Sequence, residues 1–207
     1  MKLSRFFVSV IFIWCSFSIT GCSDNEPKLS PLSSDSVILA YGDSLTFGYG
    51  ANSETESYPA ILEKLTDLKV INSGIPGEVS QQGLARLPAV LAETKPNLVI
   101  LCHGGNDLIR KLDNQQLKSN LDQMIKLIQQ SGAEVMLIAV PRFSVLLGVP
   151  ELYVELATSH EIPIELTIIS ELERDASLKS DTIHPNAVGY KILAEHVYSL
   201  LLSSGGI

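Results

Sequence analysis

Short apolar segments alternate with amphipathic ones along most of this chain, and the alternation restricts its fold more than any other feature. Runs rich in β-branched and aliphatic residues lie at 37–41, 69–72, 98–102, 135–140 and 162–169. Helical patterns lie at 58–65, 79–93, 114–130 and 186–202. Strands joined through helices pair in parallel, and right-handed crossovers place helices on both faces of the sheet. The pattern therefore predicts an α/β fold, a three-layer α/β/α sandwich around a five-stranded parallel sheet.

The composition is typical of one globular domain with a full hydrophobic core. Hydrophobic residues make up 45% of the 207 residues and charged residues 18%, which favours neither a disordered chain nor a second domain. The formal net charge is −8, and such an acidic chain disfavours nucleic acid and anionic lipid surfaces as partners. Small neutral or apolar molecules remain as candidate ligands. Separately, we expect the protein to be a monomer.

Residues 1–21 predict an export signal that is not part of the fold. Lys2 and Arg5 precede an apolar stretch at 6–19, which is too short for an ordinary membrane span. The segment ends in Ile19-Thr20-Gly21-Cys22, which resembles a bacterial lipobox. This resemblance implies lipid attachment to the cysteine; ordinary signal cleavage, which leaves a free thiol, is the alternative.

The mature chain is expected to begin at the lipidated Cys22. Ser23 resembles the sorting signal for the outer membrane, so the resemblance implies a periplasm-facing lipoprotein of a bacterial cell envelope. Residues 22–35 have little apolar content and predict a flexible tether. We expect the folded domain over 36–207.

Four short polar clusters follow apolar runs of the sequence. They are Gly42-Asp43-Ser44-Leu45, Gly74-Ile75-Pro76-Gly77, Gly104-Gly105-Asn106-Asp107 and Asp181-Thr182-Ile183-His184. The carboxyl ends of parallel strands meet at one edge of a sheet, where ligands bind. A serine nucleophile needs a base, an acid that orients the base, and donors for the charge that forms on the substrate oxygen. The clusters supply a candidate for each part and together predict a serine hydrolase.

Ser44, Asp181 and His184 are the candidate catalytic residues. The spacing of three between Asp181 and His184 lets one loop hold a carboxylate against Nδ1 of the imidazole, so that Nε2 is free to accept the serine proton. Each pattern also has a structural alternative, because Gly-Asp-Ser is a common turn and Asp-x-x-His occurs at helix caps and in metal sites. No second histidine lies at a ligand spacing near His184, so we expect no metal.

Gly77 and Asn106 are the candidate donors of an oxyanion hole. Asn106 follows two glycines, which let the backbone turn sharply and the side-chain amide approach a substrate. Gly77 has no Cβ, so its N–H can point into the same space. Simple turn chemistry is the alternative for either loop.

Two further reactive side chains end the third apolar run. Cys102 has no disulfide partner if Cys15 leaves with the export signal and Cys22 carries lipid, so we expect a buried and inert thiol. His103 follows it directly and is a candidate to support the neighbouring oxyanion loop.

In these clusters the chain resembles the SGNH subgroup of the GDSL hydrolases, and within it the periplasmic thioesterase, lysophospholipase and arylesterase branch. The matching blocks are 42–45, 75–80, 104–107 and 181–186. The segment Gln-Gln-Gly-Leu-Ala-Arg-Leu-Pro at 81–88 also resembles that branch, and the resemblance runs in the same order from about residue 36 to residue 202. It implies a flavodoxin-like SGNH hydrolase fold that uses no metal and no organic cofactor.

The resemblance also implies a role for each site residue. Ser44 corresponds to the nucleophile, His184 to the general acid and base, and Asp181 to the carboxylate that orients the base. The backbone N–H groups of Ser44 and Gly77 and the side chain of Asn106 correspond to the oxyanion hole.

The chain departs from that branch between residues 141 and 162. The branch has a longer and more polar substrate-binding stretch there, whereas Phe143, Leu146 and Leu147 are apolar in this chain. These three side chains are candidates for a wall of the substrate pocket, and ordinary loop packing is the alternative. The departure leaves the preferred acyl-chain length open.

The first hypothesis for function is a serine esterase. It would cleave aryl esters, fatty acyl esters and lysophospholipids, with thioesters ranked lower, through an acyl-enzyme intermediate. An O-acetylesterase for envelope polysaccharide is a second hypothesis, since it needs the same residues with a small open pocket. A non-catalytic lipid-binding lipoprotein is a third, although binding alone does not require Asp181 beside His184.

Overall fold

Five parallel strands form the centre of the protein. A computed structural model describes residues 27–143 and 148–207, so the predictions for the export signal, Cys22, Leu146 and Leu147 lie outside the described residues. Within those residues the strands span Val37–Gly42 (β1), Lys69–Gly74 (β2), Leu98–Cys102 (β3), Glu134–Ile138 (β4) and Ile164–Glu165 (β5). Their order across the sheet is β2-β1-β3-β4-β5, and every pairing is parallel.

Helices cover both faces of this sheet and confirm the predicted three-layer architecture. In the described residues they span Ser44–Phe47 (α1), Tyr58–Thr66 (α2), Ser80–Thr94 (α3), Gly105–Ile109 (α4), Asn114–Gln130 (α5), Leu152–His160 (α6), Ile168–Arg174 (α7) and Ala187–Ser204 (α8), with a 3₁₀ turn at Ala176–Leu178. α2 packs against α8, and α3 packs against α5. None of the helices in this part of the chain is both long and apolar enough to cross a membrane.

The fifth strand is much shorter than the predicted run at 162–169. The Glu165 carboxylate accepts hydrogen bonds from the N–H groups of Thr167 and Ile168, at 2.9 and 3.0 Å. This turn ends β5, and Ile168 and Ile169 are buried on α7 instead of in the sheet. The prediction was wrong here because an apolar run of this length fits a buried strand and a buried helix equally well.

The chain joins the folded domain before residue 36, so the predicted tether at 22–35 is too long. Leu29 is only 8% exposed, and its N–H donates to the carbonyl of Ser204 at 2.9 Å. The N–H of Leu32 donates to the carbonyl of Gly206 at 2.8 Å. A polar composition predicts a tether, but two leucines and a few backbone hydrogen bonds are enough to hold this segment against α8.

The position of β1 determines where a ligand can bind. The chain passes from β1 to β2 on one side and then returns to β3 on the other side. The loops that leave the carboxyl ends of β1 and β3 therefore diverge and open a crevice between them, the usual ligand site of such sheets. All the polar clusters that the sequence singled out follow strands at this edge or lie in the loop that precedes α8.

Candidate active site

Ser44 begins α1 directly after β1. Asp43 caps this short helix, since its Oδ1 accepts the N–H of Leu45 at 3.1 Å. Gly42 makes the tight turn possible, because a Cβ at this position would lie 2.1 Å from the carbonyl oxygen of Cys102. The serine hydroxyl is thus carried to the rim of the sheet by a turn that a larger residue could not make.

His184 and Asp181 lie on the loop before α8, and the structure brings both to Ser44. Nε2 of His184 is 3.1 Å from Oγ of Ser44, and Nδ1 is 2.7 Å from Oδ2 of Asp181. Oδ1 of Asp181 also accepts the N–H groups of Ile183 and His184, each at 2.8 Å. One carboxylate therefore holds both the loop backbone and the ring.

These partners determine the proton positions. Nδ1 faces a carboxylate and must donate, so Nε2 is the unprotonated nitrogen that can accept the hydroxyl hydrogen of Ser44. Partial burial alone would raise the pKa of Asp181, but the N–H groups of Ile183 and His184 and the imidazole outweigh it, so the pKa lies below its ordinary value. Asp181 is accordingly a carboxylate at neutral pH.

Tyr49 covers the imidazole, a contact that no sequence signal indicated. Its ring centroid is 4.6 Å from that of His184, and its backbone carbonyl accepts the hydroxyl of Tyr190 at 2.8 Å. The side chain is still 49% exposed. Tyr49 thus forms one wall of the site while its ring restricts the tilt of the imidazole.

Gly77 and Asn106 face the same crevice as Ser44 and His184. Gly77 has a φ of +79°, a left-handed conformation that favours glycine. Nδ2 of Asn106 donates to the carbonyl of Glu78 at 3.0 Å and to Oδ2 of Asp43 at 3.2 Å. The structure therefore brings both candidate oxyanion donors into the crevice that Ser44 lines.

The crevice has a volume of about 330 Å³ and largely apolar walls. Phe143, one of the three predicted pocket residues, lines it. The other apolar side chains that line it are Leu45, Pro76, Ile109 and Ile183. A crevice of this kind suits an apolar acyl or aryl group beside a polar reaction centre.

Arg86 joins the ends of two strands beneath the crevice, a role that the sequence analysis did not assign. Its guanidinium donates to the carbonyls of Ser73, at 2.8 Å, and Gly42, at 3.3 Å. It also forms a two-pronged ion pair with Glu78, at 2.7 and 2.8 Å, and lies 4.0 Å from the centre of the Tyr41 ring. This arginine lies within the segment 81–88, which resembles the family in the sequence.

His103, which directly follows β3, also binds the Glu78 carboxylate that pairs with Arg86. Nδ1 of His103 accepts the N–H of Gly104 at 3.0 Å, so Nε2 carries the hydrogen and donates to Oε2 of Glu78 at 3.2 Å. Burial would raise the pKa of Glu78, but the bonds from His103 and Arg86 outweigh it and lower the pKa. Glu78 directly follows Gly77, so these contacts hold the loop of one candidate oxyanion donor.

A second polar cluster holds the loop of the other donor. The Oγ and N–H of Ser80 donate to the carboxylate of Asp107 at 2.6 and 2.8 Å, and Nδ2 of Asn120 donates to Oγ of Ser80 at 2.9 Å. Asp107 is the neighbour of Asn106. The cluster therefore fixes the start of α3 against α4.

The other reactive groups lie outside the crevice. Cys102 is buried, and burial raises the pKa of its thiol, in agreement with an inert side chain. His160 pairs with Asp122 at 2.8 Å. Over residues 27–143 and 148–207, no three His, Cys, Asp or Glu side chains are grouped so that they could hold a metal ion.

A parallel α/β sheet that carries a serine, an imidazole and a carboxylate in hydrogen-bonded sequence at its carboxyl edge has the arrangement of a serine hydrolase. Residues 40–192 match the sequence profile of the GDSL-like lipase/acylhydrolase family. The chain belongs to this family, and it is a carboxylic ester hydrolase of the SGNH type.

Characterised relatives cover most of the chain. It is 32% identical over 168 residues to the thioesterase 1/protease 1/lysophospholipase L1 of Escherichia coli K12, which covers 77% of this chain and 80% of that protein. It is 34% identical over 173 residues to an arylesterase of Vibrio mimicus, with 77% and 85% covered. The crystal structure of TesA has a TM-score of 0.73 at 30% identity and covers 81% of this chain and 99% of its own.

We predict that Arg86→Met lowers the free energy of unfolding by roughly 3 kcal/mol, because it leaves the buried Glu78 carboxylate without its main partner. Urea denaturation measures the change. Lys118→Met is the matched control, since the pair of Lys118 with Glu155 is exposed to solvent and its loss should cost less than about 1 kcal/mol. Equal losses in the two variants would contradict a supporting role for Arg86.

Proposed function

We propose that this protein hydrolyses aryl and fatty acyl esters, lysophospholipids among them, through an acyl-enzyme on Ser44. The observation that carries the proposal is the chain of two hydrogen bonds from Asp181 through His184 to Ser44, at 2.7 and 3.1 Å. The same groups are those that the family resemblance implies for acyl transfer.

In the first half-reaction Oγ of Ser44 attacks the carbonyl carbon of the ester while its proton passes to Nε2 of His184. The imidazolium that forms lies beside the Asp181 carboxylate, which stabilises it. The tetrahedral intermediate then collapses, the bond to the alcohol oxygen breaks, and His184 returns the proton to the departing alcohol. The acyl group remains on Ser44.

The negative oxygen of that intermediate needs donors that are already in place. The N–H groups of Ser44 and Gly77 supply two, and the Asn106 amide supplies the third. Of the two bonds that Asn106 makes, the one to Asp43 is longer, at 3.2 Å against 3.0 Å to Glu78. We expect this longer bond to be exchanged for the oxyanion, while the bond to Glu78 keeps the amide oriented.

Water resolves the acyl-enzyme in the second half-reaction. His184 accepts a proton from the water, whose oxygen attacks the acyl carbon. Collapse breaks the bond to Oγ, and His184 returns the proton to Ser44 as the carboxylic acid leaves. The same base thus serves both halves.

The substrate class is supported by the apolar walls of the crevice and by the names of the relatives, which include an arylesterase and a lysophospholipase. Thioesters react by the same steps. For location, the lipobox-like segment supports a lipid on Cys22 and a periplasm-facing protein of the outer membrane. We also expect a monomer.

Fluorophosphonate labelling tests the nucleophile directly. The probe phosphorus should bond to Oγ of Ser44 with loss of fluoride, so mass spectrometry should find one labelled serine in the native protein and none in Ser44→Ala. Ser199→Ala, at an exposed position on α8, should label like the wild type. Label on Ser44→Ala at the wild-type rate would show that another residue is the nucleophile.

Replacement of Asn106 tests the oxyanion assignment. Asn106→Ala should lower kcat by about 10²- to 10³-fold with a small change in KM, because the amide acts mainly in the transition state. Steady-state kinetics on p-nitrophenyl butyrate measure this, and Asn114→Ala on the exposed start of α5 is the control. Wild-type kcat in Asn106→Ala would remove Asn106 from the mechanism.

A series of p-nitrophenyl esters from acetyl to palmitoyl separates a lipid esterase from an O-acetylesterase. We expect kcat/KM to rise beyond acetyl, because a longer chain buries more apolar surface against Phe143 and Ile109. Phe143→Ala should reduce the preference for longer chains and leave the acetyl rate nearly unchanged. A steep fall beyond acetyl in the wild type would favour polysaccharide deacetylation.

A further inference from the structure

The chain enters the folded domain at the end of the sheet opposite to the crevice. Nζ of Lys28 donates a hydrogen bond to the carbonyl of Ser203 at 2.9 Å, and the N–H of Leu29 donates to the carbonyl of Ser204. The N–H of Ser30 donates to the carboxylate of Glu134, the first residue of β4, at 3.0 and 3.1 Å. Residues 28–30 therefore lie beside the amino ends of the strands, whereas Ser44 lies at the carboxyl ends.

Helix α8 runs from the crevice to the point where the chain joins the domain, so its length gives the distance between these two places. Its N-cap, Asn186, comes two residues after His184, and its last residue, Ser204, contacts Leu29. The 18 residues of the helix, at about 1.5 Å each, span about 27 Å. The point at which the chain joins the domain is thus about 27 Å from the catalytic imidazole.

The proposed anchor cannot cross that distance. Six peptide units connect Cys22 to Lys28, and in any conformation they reach at most about 22 Å. If the crevice were turned toward the membrane that holds the lipid on Cys22, Lys28 would have to stand about 27 Å above the membrane surface. The chain is short by about 5 Å, before the side chains around the crevice are included.

We infer that the crevice opens away from the anchoring membrane and that the enzyme takes acyl esters dispersed in the aqueous phase, rather than lipids resident in that membrane. The inference rests on the proposed esterase function and on lipidation of Cys22. The hydrogen bonds of Lys28, Leu29 and Ser30 support the inference. They fix the start of the domain at the end of the sheet opposite to the crevice, so that only the residues between Cys22 and Lys28 can serve as a tether. Lysophospholipids, which leave bilayers readily as monomers, fit this class.

Two proteins that differ only in tether length test this orientation. The full-length lipidated protein and a variant with 20 Gly and Ser residues inserted between Glu26 and Pro27 are reconstituted into phosphatidylethanolamine and phosphatidylglycerol vesicles. The insert adds about 25 Å of root-mean-square reach. The same insert appended after Ile207 is the matched control, because it lengthens the chain without lengthening the tether.

Each protein receives three substrates: p-nitrophenyl butyrate in water, 4-methylumbelliferyl oleate in detergent micelles, and the same oleate ester dissolved in the protein's own vesicles. Vesicles are kept dilute so that encounters between them are rare. The water-soluble and micellar esters should be cleaved equally by all three proteins. The vesicle-resident ester should be cleaved about tenfold faster by the variant with the longer tether than by the other two, because only that tether spans the distance.

Equal rates on the vesicle-resident ester for the wild type and the long-tether variant would overturn the inference and leave the esterase intact. A Cys22 without lipid by mass spectrometry would also overturn it, since the membrane would then impose no orientation. Failure of all three proteins on butyrate and on the micellar ester would refute the proposed function itself.

Discussion

The pairing of β1 between β2 and β3 is the constraint on which the rest of the structure depends. The parallel register places Gly42 beside both Gly74 and Cys102, so three loops begin at the same level of the sheet. Both faces of the central strands are buried, so a shift of one residue would exchange the side chains that pack against the two helix layers and disrupt the close packing of the core. The loops of Ser44, Gly77 and Asn106 are therefore brought together by the packing of the sheet.

Two halves of the site are held in different ways. Buried polar clusters centred on Glu78 and Asp107 hold the side that carries the candidate oxyanion donors. Across the described residues no buried side-chain nitrogen or oxygen lacks a hydrogen-bond partner. His184, the candidate base, lies on a more exposed loop, where the Asp181 side chain is 41% exposed and the His184 side chain 14%. Buried polar groups are costly unless paired, so the half that carries Gly77 and Asn106 is the more rigid one. The imidazole is positioned by the Asp181 carboxylate of its own loop, by the hydrogen bond to Ser44 and by the Tyr49 ring.

Much of the fold follows from local patterns. Helix α5 and strand β3 span the predicted residues. In both segments the pattern of apolar residues is typical of the element that forms, so neighbouring residues alone indicate it. The predictions were wrong where a few contacts from distant parts of the chain decide the outcome. A single carboxylate, Glu165, ends β5 early, and Leu29 attaches a segment whose composition is typical of a tether.

The amino-acid sequence by itself determined the α/β class, the approximate positions of β1 to β4 and of helices α2, α3, α5 and α8, the family, and which residue types stand in the four polar clusters. Only the tertiary structure decided that Nε2 of His184 lies 3.1 Å from a serine 140 positions earlier, that Arg86 and His103 both bind Glu78, that Tyr49 covers the imidazole, and that the chain enters the domain opposite to the crevice. The physical reason is that local pattern records how each segment buries its own apolar face, whereas distances between segments depend on how the whole sheet and its helices pack.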